Sequence, residues 1–125
     1  MPYLELDVLN NAPAPVLGID LGTTNSLVAV FQGDRPVVLR PDGKSGRIPS
    51  ALYFASNGKV EVGEKARERA LVDPRDTIFS VKRFMGRGLS DVAGDLATVP
   101  FPASETENGL IRFDGDEMVT YLSLI

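Results

Sequence analysis

The residues best suited to chemistry form the run GIDLGTTNS, which begins at Gly18. Gly18 and Gly22 permit a tight backbone in which several N–H groups converge on one anion. Thr23 and Thr24 add hydroxyl donors, and Asp20 adds a carboxylate that could hold a hydrated Mg²⁺. An ordinary hairpin turn also favours glycine and threonine, but the acid, both glycines and both threonines occur together here, between two apolar runs. The combination favours an anion-binding turn.

Two basic residues are further candidates. Lys82 lies in the run TIFSVKRFMGR. A lysine beside an apolar helix face usually extends its side chain into solvent. It can also direct its positive charge at a phosphate or an attacking water. The spacing alone leaves both interpretations open. Arg47 lies in the run GRIPS, where it could brace a loop, meet a partner or simply be a surface residue before a strand.

Composition limits the chemistry that this chain can use. Its 125 residues include neither Cys nor His, which excludes thiol and imidazole nucleophiles and the usual zinc ligands. Carboxylates, hydroxyls, lysine, backbone amides and an oxygen-held cation remain. A P-loop is excluded because Val38 stands at the glycine position that Gly43-Lys44-Ser45 would require upstream. The dinucleotide fingerprint G-x-G-x-x-G is missing as well.

Charge and hydropathy indicate which partners to expect. The net charge of −4, from 13 basic and 17 acidic residues, argues against non-specific nucleic-acid binding. Residues 35–87 hold 12 of the 13 basic residues, so this segment could face an anion, although solvated faces would give the same pattern. No apolar run approaches the roughly 18–20 residues of a membrane-spanning helix, so we expect no membrane span.

The elements that must position these residues are predicted as a strand meander followed by short helices. Apolar runs separated by turn residues predict strands at 16–19, 27–31, 36–40, 51–55 and 60–62. Helix formers with i,i+3 and i,i+4 charge pairs predict a surface helix over 64–71. Thr77 is expected to cap a second helix over 78–85, and residues 91–97 could add a helical turn. A last hairpin is predicted over 110–121.

Together, these motifs resemble the seventy-kilodalton heat-shock chaperones (DnaK-like). The run GIDLGTTNSLVAV from Gly18 is similar to that family's first phosphate motif. Further motifs follow in the family's order: RIPS from Arg47, Val62-Gly63, Asp73-Pro74 and IFSVKRFMGR from Ile78. The last is the most specific, because related folds with a similar Gly-Thr-Thr turn do not carry it. The resemblance covers roughly residues 16–120.

The resemblance implies a fold, two cofactors and a set of site residues. The fold would be α/β, with α+β character in this piece: the first lobe of an actin-like (ribonuclease H-like) ATPase domain. The cofactors would be ATP and Mg²⁺. Lys82 and Asp20 would be catalytic, Lys82 by positioning the attacking water and γ-phosphate and Asp20 by orienting the Mg²⁺ hydration shell. Arg83 would lie near the interface used in interdomain signalling. The phosphate-binding turn would consist of Gly22, Thr23, Thr24 and Asn25.

The resemblance also implies a cellular role. The family hydrolyses ATP to switch a peptide-binding domain between loose and tight states, with unfolded client proteins, a J-domain co-chaperone and a nucleotide-exchange factor as partners. It implies a cytoplasmic location and no nucleic-acid or membrane partner. The lead-in, SVKRFMG at 80–86 and ENGL at 107–110 look similar to the branch that serves iron–sulfur cluster assembly.

Departures from the family pattern limit what we expect of this chain alone. The family's second phosphate motif, adenosine site, interdomain linker and peptide-binding domain have no counterpart in these residues. We expect a flexible lead-in over 1–15 and a partial nucleotide-binding domain, first lobe only, over 16–125. The apolar tail from 119 is interpreted as a truncation or a frame change, and little or no ATP turnover is expected.

Two alternatives to a chaperone fragment stay open. A sugar or polyol kinase of the same actin-like fold would share the Gly-Thr-Thr turn, although the runs from Arg47 and Ile78 argue against it. A non-catalytic binding module would use the turn and the basic middle segment as an interaction surface.

Overall fold

The first described strands form an antiparallel meander in which the candidate phosphate-binding turn joins the first two strands. The computed structural model describes residues 15–41, 43–116 and 119–121. The strands are β1 (Leu17–Leu21), β2 (Asn25–Gln32) and β3 (Arg35–Val38), paired in sequence order. Leu21 lies opposite Ser26, so the chain turns over residues 22–25, the last of which is also the first residue of β2. The short strand β4 (Ile48–Pro49) pairs with the start of β2 beside this connection.

Two further antiparallel sheets complete the described strands. In the first, β5 (Ala51–Phe54) lies between β6 (Val60–Val62) and β7 (Thr77–Phe79). In the second, β9 (Ile111–Asp114) lies between β8 (Ala103–Glu105) and β10 (Val119–Tyr121). The predicted meander and last hairpin are therefore confirmed where the structure describes them, whereas β8 was not predicted.

Two α-helices and two 3₁₀ turns connect the described strands. The helix α1 (Glu64–Arg69) confirms the predicted surface helix, and its Arg67–Glu64 ion pair is the expected i,i+3 contact. The helix α2 (Leu89–Leu96) confirms the predicted helical turn over 91–97, but begins two residues earlier and ends one residue earlier. The 3₁₀ turns span Pro74–Asp76 and Val81–Phe84. Among the described residues, no helix is long and apolar enough to cross a membrane.

The predicted helix over 78–85 is wrong. Residues 77–79 instead form β7, in which Ile78 lies opposite Leu52 of β5. Thr77 caps no helix, because its hydroxyl donates to the carbonyl of Asp73 at 2.8 Å. Ser80 then takes a left-handed backbone conformation (φ 55°), which ends the strand before the 3₁₀ turn. Thr77 and Ile78 are β-branched and pair with the edge of β5 that β6 leaves open. This strand pairing outweighs the weak helical preference of the local sequence.

The hydrophobic core holds the 3₁₀ turn at Val81–Phe84 in place. Phe84 and Phe113 are fully buried, and their ring centroids are 6.2 Å apart. Phe101 packs edge-on against Phe113 at 5.2 Å, an arrangement that aromatic rings favour. The buried cluster comprises Ile78, Phe84, Val92, Phe101, Ile111 and Phe113. By contrast, β1 is exposed along its length.

Parts of three predictions lie outside the described residues. These parts are residues 1–14 of the expected lead-in, residues 117 and 118 of the last hairpin, and the tail from 122.

Candidate functional site

The turn at residues 22–25 is built around a position that only glycine can occupy. A Cβ atom at Gly22 would lie 2.2 Å from the carbonyl oxygen of Asn25, far inside van der Waals contact. The turn therefore brings its own backbone segments closer together than any side chain allows. Thr23 and Thr24, at its tip, are exposed. The turn is thus a tight connection with exposed threonines, and anion binding by it stays a prediction.

Two serines that the sequence analysis missed hold this turn from one side. Ser50 lies between β4 and β5, and its hydroxyl donates to the carbonyl of Gly22 at 2.8 Å. The backbone N–H of Ser50 donates to the carbonyl of Thr24 at 2.9 Å. The hydroxyl of Ser26 lies 2.8 Å from that of Ser50. The signal in the sequence was the RIPS run, which directed attention to Arg47 rather than to its serine.

Lys82 reaches the same turn from the 3₁₀ turn. Its Nζ donates to the carbonyl of Leu21 at 2.7 Å, across 61 residues of sequence. Leu21 ends β1 and lies between Asp20 and Gly22 in the chain. Phe84 in the same 3₁₀ turn is fully buried, whereas Lys82 is exposed. Two interpretations were left open for Lys82. The structure favours the one in which its ammonium group is held beside the turn over the one in which the side chain extends freely into solvent.

Asp20 supplies an exposed carboxylate next to this turn. It lies in β1 opposite Leu27 of β2. Among the described residues, no group of three or more His, Cys, Asp or Glu side chains could hold a metal ion. A lone carboxylate fits a Mg²⁺ ion that keeps most of its water ligands, because this ion dehydrates reluctantly. The carboxylate of Asp20 therefore fits a hydrated Mg²⁺ ion, and the described residues do not surround an ion that has lost its water ligands.

Arg83 and Arg47 are not among the residues that contact the turn. The Nε of Arg83 is buried, with no hydrogen-bond partner in the described part of the chain. Its guanidinium lies 5.0 Å from the ring centroid of Phe84, within cation–π range. The side chain of Arg47 is exposed, and its backbone N–H donates to Ser45 Oγ at 3.1 Å. Of the site residues predicted from the sequence, the structure brings Lys82 and the residues from Asp20 to Asn25 to one place.

Comparisons with known proteins identify relatives of this chain. The sequence profile described as Hsp70 protein matches residues 16–120. The chain is 39% identical over 103 residues to chaperone protein dnaK3 of Thermosynechococcus vestitus, covering 82% of this chain and 15% of that relative. It is 41% identical over 100 residues to chaperone protein dnaK of Cyanidioschyzon merolae, covering 79% of this chain and 16% of the relative.

A third relative is the chaperone protein HscA homolog of Cupriavidus metallidurans. The identity is 45% over 98 residues, which cover 74% of this chain and 16% of the relative. The chain thus spans about one sixth of the length of the curated relatives it matches. The matched range agrees with the extent of the motifs, and the described strands and helices agree with the first lobe of an actin-like ATPase domain.

Proposed function

Because the chain belongs to the Hsp70 family, we propose that it forms the phosphate-binding wall of an ATP-dependent molecular chaperone. The observation that carries this proposal is the 2.7 Å hydrogen bond from Lys82 Nζ to the carbonyl of Leu21. It joins two sequence motifs at one point and places a positive charge beside the tight turn. The family match does not favour the sugar kinase or the binding module.

The turn would receive the phosphate groups. Gly22 allows the close backbone approach, and the exposed residues Thr23 and Thr24 offer hydroxyl donors to an anion. Asn25 ends the turn. Asp20 would hold water ligands of Mg²⁺, since a carboxylate would repel a phosphate that it touched directly. Bound ATP would supply the phosphoanhydride bond, and Mg²⁺ would offset part of the phosphate charge.

Lys82 would position the reacting groups. An ammonium group has three N–H donors, and the Leu21 carbonyl accepts one of them. The other two can therefore hold a phosphate oxygen and an attacking water while the first keeps the head group in place. A donor that is already oriented requires no rearrangement when charge develops on the phosphate.

The wider role follows from family membership as part of the same proposal. Residues 16–125 would belong to the first lobe of the ATPase domain, with residues 1–15 as a lead-in. Arg83 would lie near an interface that carries signals between domains. Client proteins, a J-domain co-chaperone and an exchange factor would be the partners, and the cytoplasm the location. The branch that serves iron–sulfur cluster assembly, which the runs at 80–86 and 107–110 resemble, is part of the same proposal.

The test is an NMR titration of the 125-residue chain with Mg·ATP, tripolyphosphate and adenosine. Both phosphate ligands should shift the amide signals of residues 22–25 at millimolar concentrations, a weak affinity typical of an open half-site. Adenosine should shift none of them, and ATP turnover should be negligible. Lys82→Ala should weaken binding about tenfold, because a charged hydrogen bond is lost.

Lys59→Ala is the matched control. Lys59 is an exposed lysine in the turn between β5 and β6, and binding to this variant should equal that of the unmodified chain. Two outcomes would contradict the proposal. One is the absence of any shift at residues 22–25 with either phosphate ligand, and the other is equal weakening by both lysine substitutions.

A further inference from the structure

Ser50 donates two hydrogen bonds to the candidate turn, one from its side chain and one from its backbone. Its hydroxyl donates to the Gly22 carbonyl at 2.8 Å, and its N–H donates to the Thr24 carbonyl at 2.9 Å. A hydroxyl has a single proton, and that of Ser50 is committed to Gly22. The 2.8 Å contact with Ser26 is therefore donated by Ser26. The result is a directed chain of hydrogen bonds from Ser26 through Ser50 to the turn, in which each bond strengthens the next.

These contacts determine where the N–H groups of the turn point. In a trans peptide unit the C=O of one residue and the N–H of the next point in opposite directions. The carbonyls of Gly22 and Thr24 both point toward Ser50. The N–H groups of Thr23 and Asn25 must therefore point away from Ser50. Two donors on the same side of a tight turn are the geometry that binds an anion.

Partial burial makes this orientation firm. Ser26, Ser50 and Gly22 are all half-buried, so water competes poorly for their hydrogen bonds. Thr23 at the tip is exposed, so a ligand can reach its N–H. The turn thus has a side that is held by protein and a tip that is open to a ligand.

We propose that Ser50 is a positioning residue for phosphate binding, which orients the amides of Thr23 and Asn25 by holding the two carbonyls behind them. Ser26 supports it by fixing the rotation of the Ser50 hydroxyl. This role rests on the proposed function, because the phosphate is the ligand that the oriented amides would bind.

The experiment compares Ser50→Ala with Ser50→Thr in the 125-residue chain. Ser50→Ala removes the hydroxyl but keeps the backbone N–H that holds the Thr24 carbonyl. In the absence of ligand, the carbonyl ¹³C signal of Gly22 and the amide of Thr23 should therefore shift, while the amide of Asn25 should stay nearly unchanged. A general loosening of the structure would move both amides, so this asymmetry separates positioning from a structural effect.

Ligand binding provides the second measurement. Ser50→Ala should weaken tripolyphosphate binding about fivefold, the effect of one hydrogen bond, and Ser50→Thr should restore it to within about twofold. Ser45→Ala is the matched control, because Ser45 is an exposed serine between β3 and β4 whose hydroxyl accepts from the N–H of Arg47 and not from the turn. Circular dichroism before each titration checks that every variant is folded.

The possible failures are distinguishable. If Ser50→Ala leaves the Gly22 carbonyl and the Thr23 amide unchanged, or if Ser50→Thr binds as weakly as Ser50→Ala, the positioning role is wrong while the proposed function stands. If the unmodified chain binds no polyphosphate, the proposed function fails and the phosphate-positioning role fails with it. The Gly22 carbonyl signal still shows in that case whether Ser50 orients the turn.

Discussion

Replacing Gly22 with alanine tests whether the turn is as tight as the structure shows. The added Cβ would lie 2.2 Å from the carbonyl oxygen of Asn25 and 3.3 Å from its carbonyl carbon. Ordinary carbon–oxygen contacts are roughly 1 Å longer than the first of these distances, so the turn must open. Opening it strains the backbone and disturbs the hydrogen bond from Ser50 to Gly22.

The expected cost follows from these two effects. Local backbone strain costs on the order of 1–3 kcal/mol. A lost hydrogen bond adds about 1 kcal/mol. We therefore expect Gly22→Ala to lower the free energy of unfolding by about 3 kcal/mol. In a domain of this size that corresponds to a fall in melting temperature of roughly 10 °C.

Gly94→Ala is the matched substitution, because it adds the same methyl group with no clash. Gly94 lies inside α2, and nothing lies within 4 Å of the position its Cβ would take. Alanine should stabilise that helix by about 0.5–1 kcal/mol. Urea unfolding followed by circular dichroism measures both variants. The reasoning about Gly22 is refuted if Gly22→Ala is as stable as the unmodified chain, or if both alanines change the stability equally.

Three further predictions concern the core and the surface. Phe113→Ala should destabilise the fold by about 3–5 kcal/mol in thermal unfolding, because this ring is fully buried against two other phenylalanines; a loss below about 1 kcal/mol would contradict the described core. Burial, the hydrogen bond to Asp73 and the charge of Asp73 raise the pKa of Tyr53 above 10.0. The neutral phenol therefore contributes stability that is present below pH 10.0 and lost as the pH rises through the raised value. Asp73→Asn should lower this pKa in a phenolate absorbance titration, with Tyr53→Phe identifying the signal; an unchanged pKa would argue against the contact. Glu64→Gln should cost less than about 0.5 kcal/mol in urea unfolding, since the ion pair with Arg67 is exposed, and the difference should vanish in high salt; a larger loss that salt leaves unchanged would show that Glu64 has another role.

Local patterns predicted most of the described elements correctly. Apolar runs bounded by turn residues located β1, β2 and β3, and charged helix formers located α1. These features depend on residues that are close in sequence, so a short window contains the physical cause. The prediction failed over 78–85, where the partner that stabilises the strand, β5, lies more than twenty residues earlier. A local window cannot contain that partner.

In the site, too, some features depend on residues close in sequence and others on residues far apart in it. The residue types and spacing in GIDLGTTNS identified the turn, since glycine and threonine are required locally for its backbone and its donors. The role of Lys82 stayed open in the sequence, because a lysine stem reaches in many directions and only packing selects one. Phe84 in the same 3₁₀ turn is buried, and Lys82 Nζ donates a hydrogen bond to the Leu21 carbonyl at the end of β1.

The sequence by itself determined the family, the chemistry that the chain can use and the position of the turn, because motif order and residue types express these directly. Only the tertiary structure decided which groups support the turn. Ser50 lies 28 residues from Gly22, and Lys82 lies 61 residues from Leu21. Their hydrogen bonds depend on how strands and a 3₁₀ turn pack around a common core, and this packing is a property of the whole chain rather than of any segment.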